Sequence, residues 1–204
     1  MKKAVSARKM NFLPLFVFCL LVSIFSGCEK DNDSEDSNLD PIADGYDAEF
    51  LIRHIAEGLM DAVLDNLSHG TYNGTIVYGI SGEASVYGDY YYTSGIDCGT
   101  DCVRSERDID LTVSFSNYKV MSCDNCEATI TGTVYYTDNT WSRQSGLSYS
   151  SGGTISVAGE NVKFKEVYDD SWGYSDVITF YASRYSGSSF SGWCTPKNGI
   201  TYDF

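Results

Sequence analysis

The sequence predicts a mainly β protein: an antiparallel meander of about 8–10 strands, barrel-like or a curved sheet, with one N-terminal amphipathic helix packed on it. Three observations lead there. Apolar residues recur at helical spacing in a single segment, 47–69. From Gly70 onward the period is two, and the alternation runs to the last residue, Phe204. Clusters of Gly, Asn, Asp and Ser interrupt it at short intervals, as hairpin turns do.

The chain opens on a targeting segment. Lys2, Lys3, Arg8 and Lys9 precede an apolar run from Phe12 to Phe25, interrupted only by Pro14, Cys19 and Ser23. At about 14 residues it suits the core of a secretory signal and falls short of the about 20 that span a bilayer. Phe25-Ser26-Gly27-Cys28 then resembles the lipobox of bacterial lipoproteins, in which small residues precede a cysteine. Phe25 stands where that family prefers an aliphatic residue. The resemblance implies removal of residues 1–27 and a lipidated Cys28 as the new amino terminus. It places the protein in the cell envelope, membrane-anchored, in the outer membrane facing the periplasm or the surface. Several acyl chains anchor stably where a single one is marginal.

Residues 28–45 are acidic and poor in apolar side chains. Such a composition cannot offset its ordering entropy by burial, so a flexible tether is expected. Acids directly after the cysteine resemble surface-export signals of some Bacteroidetes-like lipoproteins. Asp31, Asp33 and Glu35 begin like a calcium loop, but the glycine and closing glutamate of that loop are missing. With residues 1–27 go four cations and no acid, so 14 basic residues fall to 10 against 28 acids and the formal charge moves from −14 to −18. That surface disfavours nucleic acid and anionic headgroups. It admits cationic ligands or Ca²⁺ without pointing to either. Residues 46–204 are enough for a single globular domain with its own core.

For the helix over 47–69, Asp47 serves as the cap, Tyr46 and Leu51 as a hydrophobic staple, and Gly70 as the stop. Ile52, Ile55, Leu59, Val63 and Leu67 define the buried face; His54, Glu57, Asp61, Asp65 and Ser68 fall opposite, as a solvated row. The β-rich part is 71–204. In it, "DIDLTVSFS" sets Ile109, Leu111, Val113 and Phe115 on one face, and "EATITGTVYY" sets Ala128, Ile130 and Val134 against Thr129, Thr131 and Thr133. Weaker alternations occupy 72–80, 84–92, 141–149, 154–158, 162–168, 177–183 and 199–204. Ser81-Gly82, Asp138-Asn139, Gly152-Gly153, Gly159-Glu160-Asn161 and Asp169-Asp170 read as turns. The terminal Phe204 is a mark of outer-membrane barrels. The outward faces carry Thr, Ser, Asp and Arg, however, where a lipid-facing wall needs an apolar band.

Cys98, Cys102, Cys123, Cys126 and Cys194 remain once Cys19 is removed and Cys28 lipidated. "CGTDC" and "CDNC" resemble the two knuckles of a zinc ribbon, but an intervening strand of about ten residues, roughly 33 Å, sets them at opposite ends. Export favours disulfides: Cys98 with Cys102, Cys123 with Cys126, and Cys194 as an unpaired thiol or alternative partner. A redox-active C-x-x-C normally opens a helix, whereas this one sits between strands among acids. No cofactor is expected, with Zn or Ca as the lesser alternatives.

Catalytic signatures are missing: the sequence has no G-x-S-x-G, H-E-x-x-H, Walker loop or dinucleotide fingerprint. The only histidines are His54 and His69. The expected role is therefore non-catalytic, either structural or binding a glycan, peptide or envelope protein. The alternative is an envelope-side hydrolase using a carboxylate pair. Tyr87, Tyr91, Tyr135, Trp141, Trp172, Tyr174 and Trp193 would suit a platform for sugar rings or peptide side chains. Asp169, Asp170, Trp172, Tyr174 and Asp176, in "DDSWGYSD", form the densest candidate patch. The same aromatics also suit sheet edges and hairpin ends, where such residues are routinely part-buried. The lipid anchor has a direct check: Cys28→Ala should abolish fatty-acid labelling and move the protein from the membrane to the soluble fraction.

Overall fold

The computed structural model describes residues 41–204 apart from 124–125 and 169–171, with backbone alone at 122, 123 and 172. Cys28, Asp169 and Asp170 lie outside the described residues, as does the side chain of Trp172. The rest is one antiparallel sheet of ten strands with a helix packed on its inner face.

The helix runs from Gly45 to Leu64 in three windings: α1 (Gly45–Arg53), a π-helical segment (His54–Leu59) and α2 (Met60–Leu64). Asp44, not Asp47, is the cap. Its carboxylate accepts from the backbone N–H of Tyr46 at 2.8 Å and of Asp47 at 2.9 Å, while Asp47 reaches back to the N–H of Ala43. Tyr46 is therefore inside the first turn and exposed, with no staple to form. The stop also comes early. Asn66 and Leu67 close a turn onto Val63 and Leu64, and Gly70 opens the first strand instead of ending the helix. Ile52, Ile55, Leu59 and Val63 are fully buried, and Leu67 packs on the core from beyond the helix end.

The strands are β1 (Gly70–Tyr78), β2 (Ser81–Asp97), β3 (Cys102–Cys123), β4 (Cys126–Asp138), β5 (Trp141–Ser145), β6 (Ser148–Gly152), β7 (Thr154–Tyr168), β8 (Trp172–Tyr185), β9 (Ser191–Pro196) and β10 (Tyr202–Asp203). Their order is β1-β2-β3-β4-β7-β8-β9-β10, and the sheet is open, not a closed barrel. β5 continues the path of β4 along β3, pairing with Cys102–Glu106, and β6 returns beside it. The β5–β6 hairpin is thus the outer end of one long β4–β7 hairpin, and the connection stays a meander.

A line of register slips crosses the middle of this sheet. β3 slips between Phe115 and Tyr118, β4 between Thr131 and Val134, and β7 between Gly159 and Val162. The slips are neighbours across the ladder, since Tyr118 opposes Ile130 and Thr131 opposes Lys163. Asn117 and Asn161 take positive φ there, at 47° and 51°, and Gly132 lies at 128°. Asparagine tolerates the left-handed region, and bulges add bend and twist. Gly159-Glu160-Asn161 is therefore a bulge inside β7 and not a turn. The N–H groups released at the slips are recovered by threonines of the next strand. Asn117 donates to Thr131 Oγ1 at 3.1 Å and Asn161 to Thr179 Oγ1 at 3.0 Å.

The bend wraps the sheet around the helix. Ile155 and Glu166 are eleven residues apart on β7, about 36 Å if straight. Yet Glu166 meets His54, and Arg184, the ladder partner of Ile155, meets Glu57. Those helix residues are separated by only about 4.5 Å of rise. Gly82 of β2 extends the bend line: at φ +68°, a Cβ there would lie 2.0 Å from the Asn117 carbonyl oxygen. Gly82→Ala should cost about 3 kcal/mol, combining left-handed strain with overpacking. Gly95→Ala has the same strain with nothing within 4 Å of the added carbon, and should cost about 1 kcal/mol. Urea midpoints of the two variants check the difference.

Candidate functional site

The helix contributes polar side chains on both flanks of its buried stripe. Of the solvated row expected on the helix, Asp61, Asp65 and Ser68 are exposed, whereas His54 and Glu57 are part-buried and paired with the sheet. His54 Nδ1 lies 2.8 Å from Glu166 Oε1, and the Tyr168 hydroxyl donates to Glu166 Oε2 at 2.5 Å. Glu166 is fully buried. Burial first, then the Glu166 hydrogen bond, pushes the Tyr168 phenol far above its usual range. On the other flank Glu57 pairs with Arg184, whose guanidinium lies 4.8 Å from the Phe190 ring centre. One turn on, Asp61 faces Arg107, which donates to the fully buried Asp138 at 3.2 Å. Asp138 also accepts from the Thr140 N–H and hydroxyl. Asp61 keeps an exposed edge but loses enough water to raise its pKa, with Arg107 opposing and Asp65, Glu57 and Asp138 adding to the rise. The π winding, in which the Met60 N–H bonds back to the Ile55 carbonyl, turns the chain more slowly. Ile55 and Leu59 stay in the core between His54 and Glu57. These groups lock the helix into its seat.

Cys98 and Cys102 form a disulfide, as the sequence reading expects, at the tip between β2 and β3. Arg143 Nε donates to Cys102 Sγ at 3.1 Å. An open depression of about 930 Å³ beside it is lined by Asp97, Thr100, Asp101 and Gln144 among others. Cys126 is disulfide-bonded, and the β3–β4 ladder sets Cys123 opposite it. Cys194 is a free, buried thiol whose pKa burial pushes up to about 12, so it stays protonated at neutral pH. Among the described residues no three metal-ligating side chains converge.

Two of the candidate residues of the "DDSWGYSD" patch, Tyr174 and Asp176, have described side chains. Tyr174 points inward and donates to Asp47 Oδ1 at 2.8 Å; Asp176 accepts from the backbone N–H of Val177 and Lys197.

The outer face is different. One cross-strand row reads Asn73, Tyr87, Thr112, Tyr135, Ala158, Tyr181, Trp193, Asp203, each residue paired with the next. Its aromatics are 44, 54, 44 and 37% exposed for Tyr87, Tyr135, Tyr181 and Trp193, so each offers ring surface to solvent. The adjacent row is polar on each of the seven strands it crosses: Thr71, Asp89, Asp110, Thr137, Ser156, Ser183, Ser191. On the other side lie Ser85, Ser114 and Thr133, the last two 3.1 Å apart.

Comparison with known protein families, with characterised proteins and with solved structures finds no match.

The chemistry is read from this geometry. Of the seven aromatics expected to form a platform, Tyr87, Tyr135 and Trp193 share the row, and Tyr91 lies on the same face two rows away. Trp141 sits on β5 under the Arg104 guanidinium, at 5.6 Å. Tyr181 was missed, although the alternation around it is plain. Phe180 and Ala182 are buried, which turns Thr179, Tyr181 and Ser183 outward. Exposed rings beside hydroxyl and carboxylate groups can stack and hydrogen-bond at once. The inner network has a structural test. Glu166→Ala, which removes the buried acceptor shared by His54 and Tyr168, should cost about 3 kcal/mol. Arg53→Ala breaks an exposed i,i+4 pair and should stay within about 0.5 kcal/mol in the same denaturant titration.

Proposed function

We propose that this chain is a lipid-anchored cell-envelope lipoprotein, held through Cys28, whose sheet binds a glycan on its outer face without catalysis. The row Tyr87, Tyr135, Tyr181 and Trp193 carries this reading. Half-buried rings add to sheet stability by themselves, but these four also turn 37 to 54% of their surface to solvent in a single line. Sugar rings offer a flat C–H face for stacking and hydroxyls at the rim, which match the aromatic row and its polar neighbours.

Hydrolysis has less to support it. The buried carboxylates, Glu166 and Asp138, are engaged by His54, Tyr168, Arg107 and Thr140. Asp89 and Asp110 oppose each other on the outer face. That face is open, with no wall to exclude water from a reacting bond.

The test is a glycan array probed with the full-length protein in detergent. Replacing both Tyr135 and Trp193 by Ala should weaken binding by about tenfold or more, a loss of the size seen at an interface hot spot. The unfolding midpoint should fall modestly, because Trp193 is only 37% exposed, so binding is compared under conditions where circular dichroism shows the variant fully folded. Unchanged binding by the double variant would overturn the assignment.

A further inference from the structure

We infer that the ligand is an extended, uncharged, β-linked polysaccharide whose chain lies across the strands, along the Tyr87–Trp193 row. This rests on the reading of the outer face as a glycan site and narrows it to one class of polymer.

Spacing points to this polymer. Tyr87, Tyr135 and Tyr181 occupy β2, β4 and β8, every second strand in the sheet order. Neighbouring strands lie about 4.8 Å apart, so successive tyrosines are separated by about 9.6 Å. A hexose in a fully extended chain advances by close to one strand spacing. In a flat β-linked chain, every second ring turns the same face toward the protein. The tyrosines therefore meet alternate rings, and the intervening positions are the small Thr112 and Ala158, which leave room for the rings between. Trp193, on the strand next to Tyr181, widens the platform at one end. From Tyr87 to Trp193 the row crosses five strand spacings, about 24 Å, enough for five or six hexoses.

The polar row beside the aromatics fits the same polymer. It supplies one hydrogen-bonding side chain per strand: Asp89, Asp110, Thr137, Ser156, Ser183 and Ser191. An extended chain of flat rings projects its equatorial hydroxyls sideways, toward such a row. A coiled α-linked chain would bring neither its faces nor its hydroxyls into line.

Charge points the same way. Asp89 and Asp110 are directly opposed, and like charges facing each other cost a sheet stability. As acceptors for sugar hydroxyls they are useful, and they repel uronates and phosphate-bearing polymers. The formal charge, −14 for the whole chain and −18 once residues 1–27 are removed, adds to that repulsion and disfavours a second copy of the chain as occupant.

Twist sets the last condition. Adjacent strands turn by roughly 20–25°, so over its five spacings the row coils by about 100–125°. A single polymer chain follows it, whereas the flat face of a crystalline polymer meets only part of it.

Native affinity electrophoresis of the full-length protein in non-ionic detergent separates the outcomes. The gels contain mixed-linkage β-glucan, hydroxyethyl cellulose, glycol chitin or β-mannan, with amylose, dextran and polygalacturonate as comparisons. At least one extended neutral β-linked polymer should retard the protein, and the comparison polymers should not. Tyr135→Ala should raise Kd by about tenfold, Tyr135→Phe should stay within about twofold, and the off-row Tyr46→Ala should match the parent. A matching hexasaccharide should bind at least about tenfold more tightly than the disaccharide. Retardation by amylose or dextran alone, or equal affinity for disaccharide and hexasaccharide, would overturn the polymer class and leave a glycan face. Retardation by the expected polymers that Tyr135→Ala does not weaken would overturn the placement on the row. No retardation, with no signal on the glycan array, would overturn both readings.

Discussion

Everything in this fold depends on the bend that crosses β3, β4 and β7. A 22-residue strand such as β3 is far longer than one helix is wide. In a flat sheet most of its apolar face would remain in water. Curling the sheet lets a helix of about 20 residues fill the concavity and bury Leu111, Val113, Val134, Tyr136, Phe164 and Phe180 together. The bend is local and specific. Asn117 and Asn161 supply left-handed backbone, Gly132 a close approach to Val162, and Thr131 and Thr179 the replacement hydrogen bonds. No residue in that set is hydrophobic, yet the hydrophobic core requires all of them.

The polar contacts between helix and sheet follow from the same curvature. Once the sheet reaches around both flanks, side chains there lose water and must find partners. Glu166 finds His54 and Tyr168, Glu57 finds Arg184, and Asp138 finds Arg107 and Thr140. Removing one partner of such a pair leaves a stranded charge, so these groups fix the register of the helix more than they add net stability. The chemistry of the inner face is thereby spent on the fold. What the molecule presents to other molecules is its outer face.

Much of this was legible in the sequence. Period-two alternation marked the core faces of β3 and β4, helical spacing marked Ile52 to Val63, and export pointed to the Cys98–Cys102 disulfide. The misses share a physical cause. Gly159-Glu160-Asn161 has turn composition, and a bulge needs the same positive-φ residues as a turn; only pairing with β4 and β8 distinguishes them. Asp44 and Asp47 are both competent caps, and the choice was made by tertiary contacts, since Asp47 also receives Tyr174. His54 looked solvated because a helical wheel knows nothing of a sheet that wraps more than one side. For the outer row, the sequence named Tyr87, Tyr135 and Trp193 but could not align them. A row is a property of register, and the slips in β3, β4 and β7 shift that register by amounts no single strand reveals.

An open sheet must still end somewhere. Among the described residues, β1 and β10 end the main strand path with no further strand beside them, an invitation to edge-to-edge growth. Both ends decline it by different means. β10 is two residues long, and the helix start at Gly45 abuts its Asp203 carbonyl. β1 is longer but broken, with a slip between Asn73 and Thr75 and Gly74 at φ +81°. A second strand laid along either edge would lose its pairing within a few residues. The two ends of the main strand path thus stay open without offering a long template for edge-to-edge growth.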